Sequence, residues 1–224
     1  MNYIIKRNIR FWFKTSLQMI GIALAAIAGY TVFQMLSISS SQMSIALGTI
    51  PLYIAWIGGI MLLAIELATF QTYLPMVLSF GSRRKEAFWG VQLLNLSYIV
   101  MTLAAFAITQ YFFHDNMIAS SGIMLRDIMI VFCAVMLLAG GAGEILGMIV
   151  SKLGNKGIIV FVIVCTFIGM VAGFTYATVD NGGIVLKQAI SCMSLWGILV
   201  IAIIIYVVGA MMAYRTIKNM EVRV

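Results

Sequence analysis

Two carboxylate side chains lie within apolar stretches that are long enough to cross a membrane. Glu66 follows an apolar run that begins near Ile50, and Glu144 follows one that begins near Asp127. At a helical rise of 1.5 Å per residue, each carboxylate lies roughly 25 Å from one face of an apolar layer about 30 Å thick. The two side chains are therefore expected at similar depth, nearer the far face of that layer.

A charged group inside an apolar layer is costly unless it is paired or wet, so both carboxylates are candidate functional residues. Three interpretations of Glu66 and Glu144 are open from the sequence. They could be proton or cation sites of a secondary transporter. They could line a substrate entrance near the inner leaflet and favour cationic cargo. They could instead pair with nearby cytoplasmic Lys and Arg residues and anchor a helical bundle.

The rest of the sequence offers little further chemistry. It contains no G-x-x-x-x-G-K-[ST] phosphate loop. His114 and Asp115 have no second His or Cys nearby to complete a metal site, and Cys133, Cys165 and Cys192 lack metal-ligand spacing. We therefore expect no metal site, no cofactor bound by this chain and no catalytic centre.

The composition is typical of an integral membrane protein. Of the 224 residues, 63% are hydrophobic and 9% are charged, whereas a soluble domain is about half apolar and about a quarter charged. Only helices and closed barrels satisfy their backbone groups in lipid, and the apolar runs here are continuous rather than alternating. The sequence therefore predicts an all-α integral membrane fold.

The apolar runs predict one transmembrane domain over 1–224 with six membrane-spanning helices. The first is expected to be an uncleaved span rather than a removable signal. Small residues at four-residue spacing, such as Gly143 and Gly147, predict close packing between helices. The predicted spans are roughly 15–37, 45–72, 87–113, 127–150, 157–178 and 191–213.

The distribution of basic residues predicts the orientation of these spans. The chain has 14 Lys and Arg against 7 Asp and Glu, giving a net charge of +7. Only Arg126 and Lys187 fall on one side of the predicted topology, and the other basic residues fall on the opposite side. By the positive-inside rule, both termini should be cytoplasmic. Membrane topology thus accounts for the basic charge without a nucleic-acid partner.

The segment 2–14 is amphipathic when it is placed on a helical wheel. It predicts an interfacial helix on the inner leaflet, with cations facing anionic lipid headgroups. A plain basic flank of the first span is the alternative. The apolar side would contain Ile5, Ile9, Trp12 and Phe13, and the basic side Lys6, Arg7, Arg10 and Lys14. The predicted interfacial anchors are Lys6, Arg7, Arg10, Trp12 and Lys14.

The stretch 79–90, SFGSRRKEAFWG, concentrates charge in a chain that has little. Pro75 should bend or stop the preceding helix, Gly81 can turn the chain and Ser82 can cap a new short helix. A capped, charged helix at the cytoplasmic surface favours docking to another protein. The alternative is a loop that only sets topology.

The same stretch resembles the S-x-G-x-[ST]-R-K-[DE]-x-F-x-G signature of short bacterial permease subunits of ABC type-2 exporters, although Arg83 stands where Thr or Ser is usual. The resemblance implies that 79–90 is a coupling helix resting in a groove of a separate ATPase. Phe88 would anchor it there. The implied coupling residues are Ser82, Arg83, Arg84, Lys85, Glu86 and Phe88.

The resemblance also implies an assembly in a bacterial cytoplasmic membrane. It would contain two permeases, identical or homologous, and two ATPases that bind ATP and Mg. The cargo path would lie between the permeases and carry a peptide, an antimicrobial compound, a lipid or a drug. Short re-entrant helices would correspond to 181–190. An ion-coupled secondary transporter using Glu66 and Glu144, and a scaffold or sensor, are the other classes that the sequence leaves open.

Overall fold

The computed structural model describes residues 2–37, 50–112, 125–154, 156–159, 162–163 and 195–219, and every regular element in these ranges is helical. A π-helical turn, Thr69–Tyr73, joins α2 to α3. The helices are α1 (Asn2–Ser37), α2 (Ile50–Ala68), α3 (Leu74–Ser79), α4 (Arg84–Phe112), α5 (Leu125–Leu153) and α6 (Leu195–Asn219).

Five helical segments in the described ranges are long and apolar enough to cross a membrane, which confirms the prediction of a multi-pass, all-helical fold. Most of the predicted span 157–178, and all of 181–190, lie outside the described residues. The five segments are Arg10–Tyr30, Tyr53–Ser79, Arg84–Phe112, Arg126–Leu153 and Leu195–Asn219.

The first helix packs along α4 in the same direction. Trp12 is fully buried against Gly90, where a Cβ atom would clash with the indole Nε1. Further along both helices, the Ser97 hydroxyl donates a hydrogen bond of 2.7 Å to the Ser16 hydroxyl. Only glycine at position 90 leaves room for the indole, so this contact fixes how closely α1 approaches α4.

A face of small residues on α5 brings it close to α2. A Cβ atom added to Gly143 would lie 2.9 Å from Cγ of Glu66, and one added to Gly147 would lie 2.8 Å from the Phe70 ring. The close helix packing that was predicted from the spacing of Gly143 and Gly147 is therefore present, since small residues let helix backbones approach closely.

Helix α6 packs against another side of α5, and the two helices run in the same direction. The carbonyl oxygen of Gly141 would lie 2.8 Å from a Cβ atom on Gly209. One to two turns further along both helices, the Thr216 hydroxyl donates to Sδ of Met148 at 3.2 Å. Leu153, at the end of α5, and Leu195, at the start of α6, therefore lie at opposite ends of the bundle.

One end of the bundle gathers basic residues. The Arg84 guanidinium, at the start of α4, donates to the carbonyl oxygen of Lys218, near the end of α6. Lys152 lies at the end of α5 and lines a pocket with Arg215 of α6. We call this end of the bundle the basic end.

The N-terminal segment differs from the predicted interfacial helix over 2–14. Helix α1 is continuous for 36 residues, from Asn2 to Ser37. Neither glycine nor proline occurs before Gly21, so no residue interrupts the helix between its basic start and its apolar part. The segment 2–14 is therefore helical and continuous with the first span, and its position at the membrane interface stays a prediction.

The charged stretch also differs from the predicted separate helix over 79–90. Helix α3 ends at Ser79, and Gly81 adopts the predicted turn with φ of 81°. Helix α4 then begins at Arg84 and runs without a break to Phe112. Residues 84–90 form its first turns, and Gly90 lies within the helix, packed against Trp12 of α1.

Pro75 does not stop the helix before the turn. The π-helical turn Thr69–Tyr73 precedes it, and the N–H of Leu74 bonds to the carbonyl oxygen of Thr69, five residues back. Pro75 then occupies the first turn of α3, where a missing N–H costs least. The wider turn thus accommodates the proline, which was expected to bend or stop the helix, and the helix continues to Ser79.

Candidate functional site

Polar side chains from α2, α4, α5 and α6 meet inside the bundle. Glu66 comes from α2 and Glu144 from α5, and both are 0% exposed. Gln92 and Asn95 come from α4, and Tyr206 comes from α6. We call these five residues the carboxylate cluster.

Amide donors hold one carboxylate in place. Gln92 Nε2 donates to Oε1 of Glu144 at 2.6 Å, and Asn95 Nδ2 donates to the same oxygen at 3.0 Å. The Tyr206 hydroxyl donates to Oε1 of Gln92 at 2.8 Å, which fixes the orientation of that amide. Glu144 is therefore held by a chain of hydrogen bonds that links α4, α5 and α6.

Glu66 lies near this network without joining it. It is close enough to Glu144 for the two carboxylates to interact electrostatically, and Asn95 lies beside both. The Asn95 amide is nevertheless directed to Glu144, and neither oxygen of Glu66 has a hydrogen-bond partner in the described structure. The second oxygen of Glu144 and the amide oxygen of Asn95 are also buried without a partner there.

No basic side chain in the described ranges pairs with either carboxylate. The one ion pair within 4.0 Å in these ranges joins Arg126 and Asp127, which lie at the start of α5. The interpretation that Glu66 and Glu144 pair with Lys and Arg residues is therefore wrong for this part of the chain. Burial of carboxylate oxygens without donors is costly, so the cluster needs a proton or a cationic group to balance it.

Sequence reasoning missed the amides and the tyrosine of the cluster, although α4 carries a signal for them. Gln92, Asn95, Tyr98 and Thr102 recur at a helical spacing within an apolar span and are all buried. The Tyr98 hydroxyl donates to the carbonyl oxygen of Gly58 at 3.3 Å. A helical wheel of α4 would have shown one polar stripe that must face protein rather than lipid.

The chemistry that the cluster offers is the binding of positive charge. Its carboxylates can accept a proton, its carboxylate and amide oxygens can accept hydrogen bonds from an ammonium-like group, and all of them are carried by helices. Among the described residues, no three His, Cys, Asp or Glu side chains come together in a way that could hold a metal ion. The cluster thus fits a site that exchanges positive charge within a membrane domain.

The predicted coupling residues fall into three pairs in the structure. Arg83 and Lys85 are exposed at the basic end. Arg84 reaches the end of α6, and the Phe88 ring meets Tyr214 of α6 at a centroid distance of 5.2 Å. The first pair is free to meet a partner, whereas the second pair ties α4 to α6.

The remaining predicted coupling residues lie closer to the protein interior. Ser82 is 8% exposed, two residues before the start of α4. Glu86 is half-buried, and its Oε2 atom has no hydrogen-bond partner in the described structure.

The predicted interfacial anchors are also divided. Arg10 and Lys14 are exposed. Trp12 is fully buried on α4, so its assignment as an interfacial anchor is wrong; the glycine at position 90 draws the indole inwards. The side chains of Lys6 and Arg7 lie outside the described part of the structure.

No family model, curated protein or solved structure matches this chain.

Proposed function

We propose that the chain is the transmembrane permease subunit of an ATP-driven exporter. One observation carries this proposal. The turn between α3 and α4, with the first residues of α4 (residues 80–85), is called the charged turn, and the helical segments on either side of it both contribute to the carboxylate cluster. The segment before the turn carries Glu66, and α4, which follows it, carries Gln92 and Asn95. A partner bound at the turn can therefore act on the cluster through the helices.

The mechanism follows from the stiffness of α4. Gln92 lies eight residues after Arg84, which is about 12 Å along a helix. A rigid-body shift of the charged turn would move the Gln92 and Asn95 amides relative to Glu66. It would thereby change the hydrogen-bond partners of Glu144. ATP binding by separate ATPase chains, with Mg, would supply that shift, and small displacements at one end of packed helices can be amplified in this way.

The arrangement of the helices supports six spans with both termini cytoplasmic. Helices α5 and α6 are parallel, which favours one more crossing between them, as predicted for 157–178. The basic end gathers Arg84, Lys152 and Lys218, as the positive-inside rule expects of the cytoplasmic face. The proposed location is the cytoplasmic membrane of a bacterium.

The cargo of the proposed exporter is amphipathic, of the peptide, antimicrobial, lipid or drug class. Glu66 and Glu144 lie without basic partners in the described ranges, so the path would favour a cationic group. A second permease, identical or homologous, would complete the path.

The proposal is tested by purifying the tagged chain from its native host in mild detergent and asking whether an ATPase comes with it. Arg83→Glu combined with Lys85→Glu reverses the exposed charge of the turn. Arg84 is left intact because its substitution would also break the contact with α6. We expect the double variant to lose the ATPase.

The matched control is Arg10→Glu with Lys14→Glu, which reverses two exposed charges on α1. It should retain the ATPase. A chain that purifies without any ATPase, or an equal loss from both double variants, would contradict specific docking at the turn.

A second candidate function is ion-coupled secondary transport without an ATPase. The observation that favours it is the buried pair of carboxylates without a basic partner among the described residues. In liposomes that contain the chain and a trapped pH indicator, ethidium movement would then be coupled to proton movement. Glu66→Gln or Glu144→Gln should abolish this coupling, while proton-independent ethidium movement would count against the candidate.

A further inference from the structure

A polar pocket lies at the basic end, where α5 and α6 finish side by side. It has a volume of about 260 Å³. Within the described ranges, neither of its two cations, Lys152 and Arg215, has a carboxylate within 4.0 Å. We call it the basic pocket; it is lined by Ser151, Lys152, Arg215, Thr216 and Asn219.

An apolar groove of about 410 Å³ lies on the neighbouring flank of α6, between α6 and Phe88 of α4. Arg215 lines both. The groove runs past Tyr214 and Phe88 towards Tyr206, and Ala210 forms part of its floor. We call it the aromatic groove.

The sequence of α6 and α4 explains why the groove is apolar next to a basic pocket. Tyr206, Ala210 and Tyr214 recur every four residues and so lie along one face of α6. Phe88 of α4 packs against Tyr214 and forms the opposite wall. Arg215, the next residue along α6, lies about 100° around the helix from Tyr214, between this face and the basic pocket, and lines both cavities.

We infer that the basic pocket and the aromatic groove together bind one anionic phospholipid of the inner leaflet. The phosphate would lie between Lys152 and Arg215, and an acyl chain would lie along the groove. Basic pockets between transmembrane helices on the cytoplasmic side suit anionic headgroups. A peptide fits less well, because the apolar groove offers few partners for its backbone N–H and carbonyl groups.

This inference does not depend on an ATPase or on transport, because lipid binding is measured on the chain alone. The full chain would be purified in detergent, titrated with phosphatidylglycerol or phosphatidylcholine, and weighed with its bound lipid by native mass spectrometry. sn-Glycerol 3-phosphate would be the probe for a headgroup without acyl chains. We expect one phosphatidylglycerol to be retained at concentrations where phosphatidylcholine and glycerol phosphate are not.

Two variants address the two halves of the site. Lys152→Gln with Arg215→Gln should weaken phosphatidylglycerol binding by about 30-fold, which is about fivefold for each cation removed near an anionic group. Ala210→Phe fills the aromatic groove without changing charge and should also weaken binding. The thermal unfolding of each variant without lipid shows whether it is folded.

The matched control is Arg83→Gln with Lys85→Gln, which removes two exposed cations from the same end of the bundle. It should leave binding unchanged. Equal weakening by both double variants would overturn the inference, because attraction would then depend on overall surface charge. Equal retention of phosphatidylcholine, or binding of glycerol phosphate as tight as that of the lipid, would also overturn it.

Discussion

Glu66 and Glu144 are equally buried, but only Glu144 receives hydrogen bonds from the described side chains. Their similar depth follows from counting residues along two apolar runs that begin at the same face of the membrane. Their different surroundings do not follow from counting, because they depend on which face of α4 meets them. To predict which side chains of two helices meet, one needs the rotation of each helix about its own axis. The spacing of residues within a single span does not give that rotation.

Substitution of Gln92 tests the chain of hydrogen bonds at the level of single residues. Gln92→Leu removes one donor to Glu144 and leaves the Tyr206 hydroxyl without its acceptor. We expect the free energy of unfolding to fall by about 0.6–1.7 kcal/mol, the scale of hydrogen bonds between transmembrane helices. The measurement is reversible unfolding in mixed micelles.

The control is Thr109→Val on the same helix, since the Thr109 hydroxyl bonds only to carbonyl oxygens of α4 in the described structure. Thr109→Val should lower the free energy of unfolding by less than Gln92→Leu does. Equal costs would show that the network contributes nothing beyond ordinary loss of a hydroxyl or amide.

At the scale of elements, the presence of a helix is predicted from the sequence more reliably than the residues at which it begins and ends. Apolar runs identify α2, α4, α5 and α6 because burial in lipid imposes length and composition. The segment 2–14 is continuous with the rest of α1, and of the helix predicted over 79–90 only residues 84–90 lie in α4. A change from polar to apolar residues does not break a helix, whereas Gly81 with a positive φ does.

The approach of α5 to α6 depends on glycines in both helices, and Gly209→Val tests it. A side chain at Gly209 would meet the backbone of Gly141, which cannot move aside as a flexible side chain would. We expect a loss of about 1–3 kcal/mol in the free energy of unfolding, the usual cost of overpacking. Thermal unfolding in detergent is the first measurement.

A second readout reports the helix contact itself. Cysteines at Met148 and Thr216, whose side chains are in contact, should form a disulfide on mild oxidation, and Gly209→Val should slow its formation. Gly29→Val is the control, because no atom lies within 4 Å of a Cβ atom at Gly29. Unchanged disulfide formation in Gly209→Val would contradict the close packing of α5 and α6.

At the scale of the whole molecule, two independent patterns agree on its polarity. The positive-inside rule assigns nearly all Lys and Arg residues to one side from sequence alone. In the structure, Arg84, Lys152 and Lys218 lie at one end of the bundle. Their positions follow from contacts between helices and not from the positive-inside rule. The parallel course of α5 and α6 adds a constraint on connectivity that apolar runs cannot supply, since runs carry no direction.

Labelling of single cysteines tests this polarity. In a chain with Cys133, Cys165 and Cys192 replaced by alanine, cysteine would be placed at Lys85, Lys218 or Arg126. An impermeant maleimide added to intact cells should label only the Arg126→Cys chain. The other two should react only after the membrane is opened, because both lie at the proposed cytoplasmic end.

The two inner positions also check each other. Arg84, beside Lys85, bonds to the backbone carbonyl of Lys218, a group that Lys218→Cys retains. Labelling of both positions from outside, with Arg126→Cys protected, would reverse the proposed orientation but leave the fold intact. Labelling of Lys218→Cys alone from outside would show that the end of α6 and the start of α4 lie on opposite sides of the membrane. That outcome would contradict the parallel packing of α5 and α6 and, with it, the sixth span.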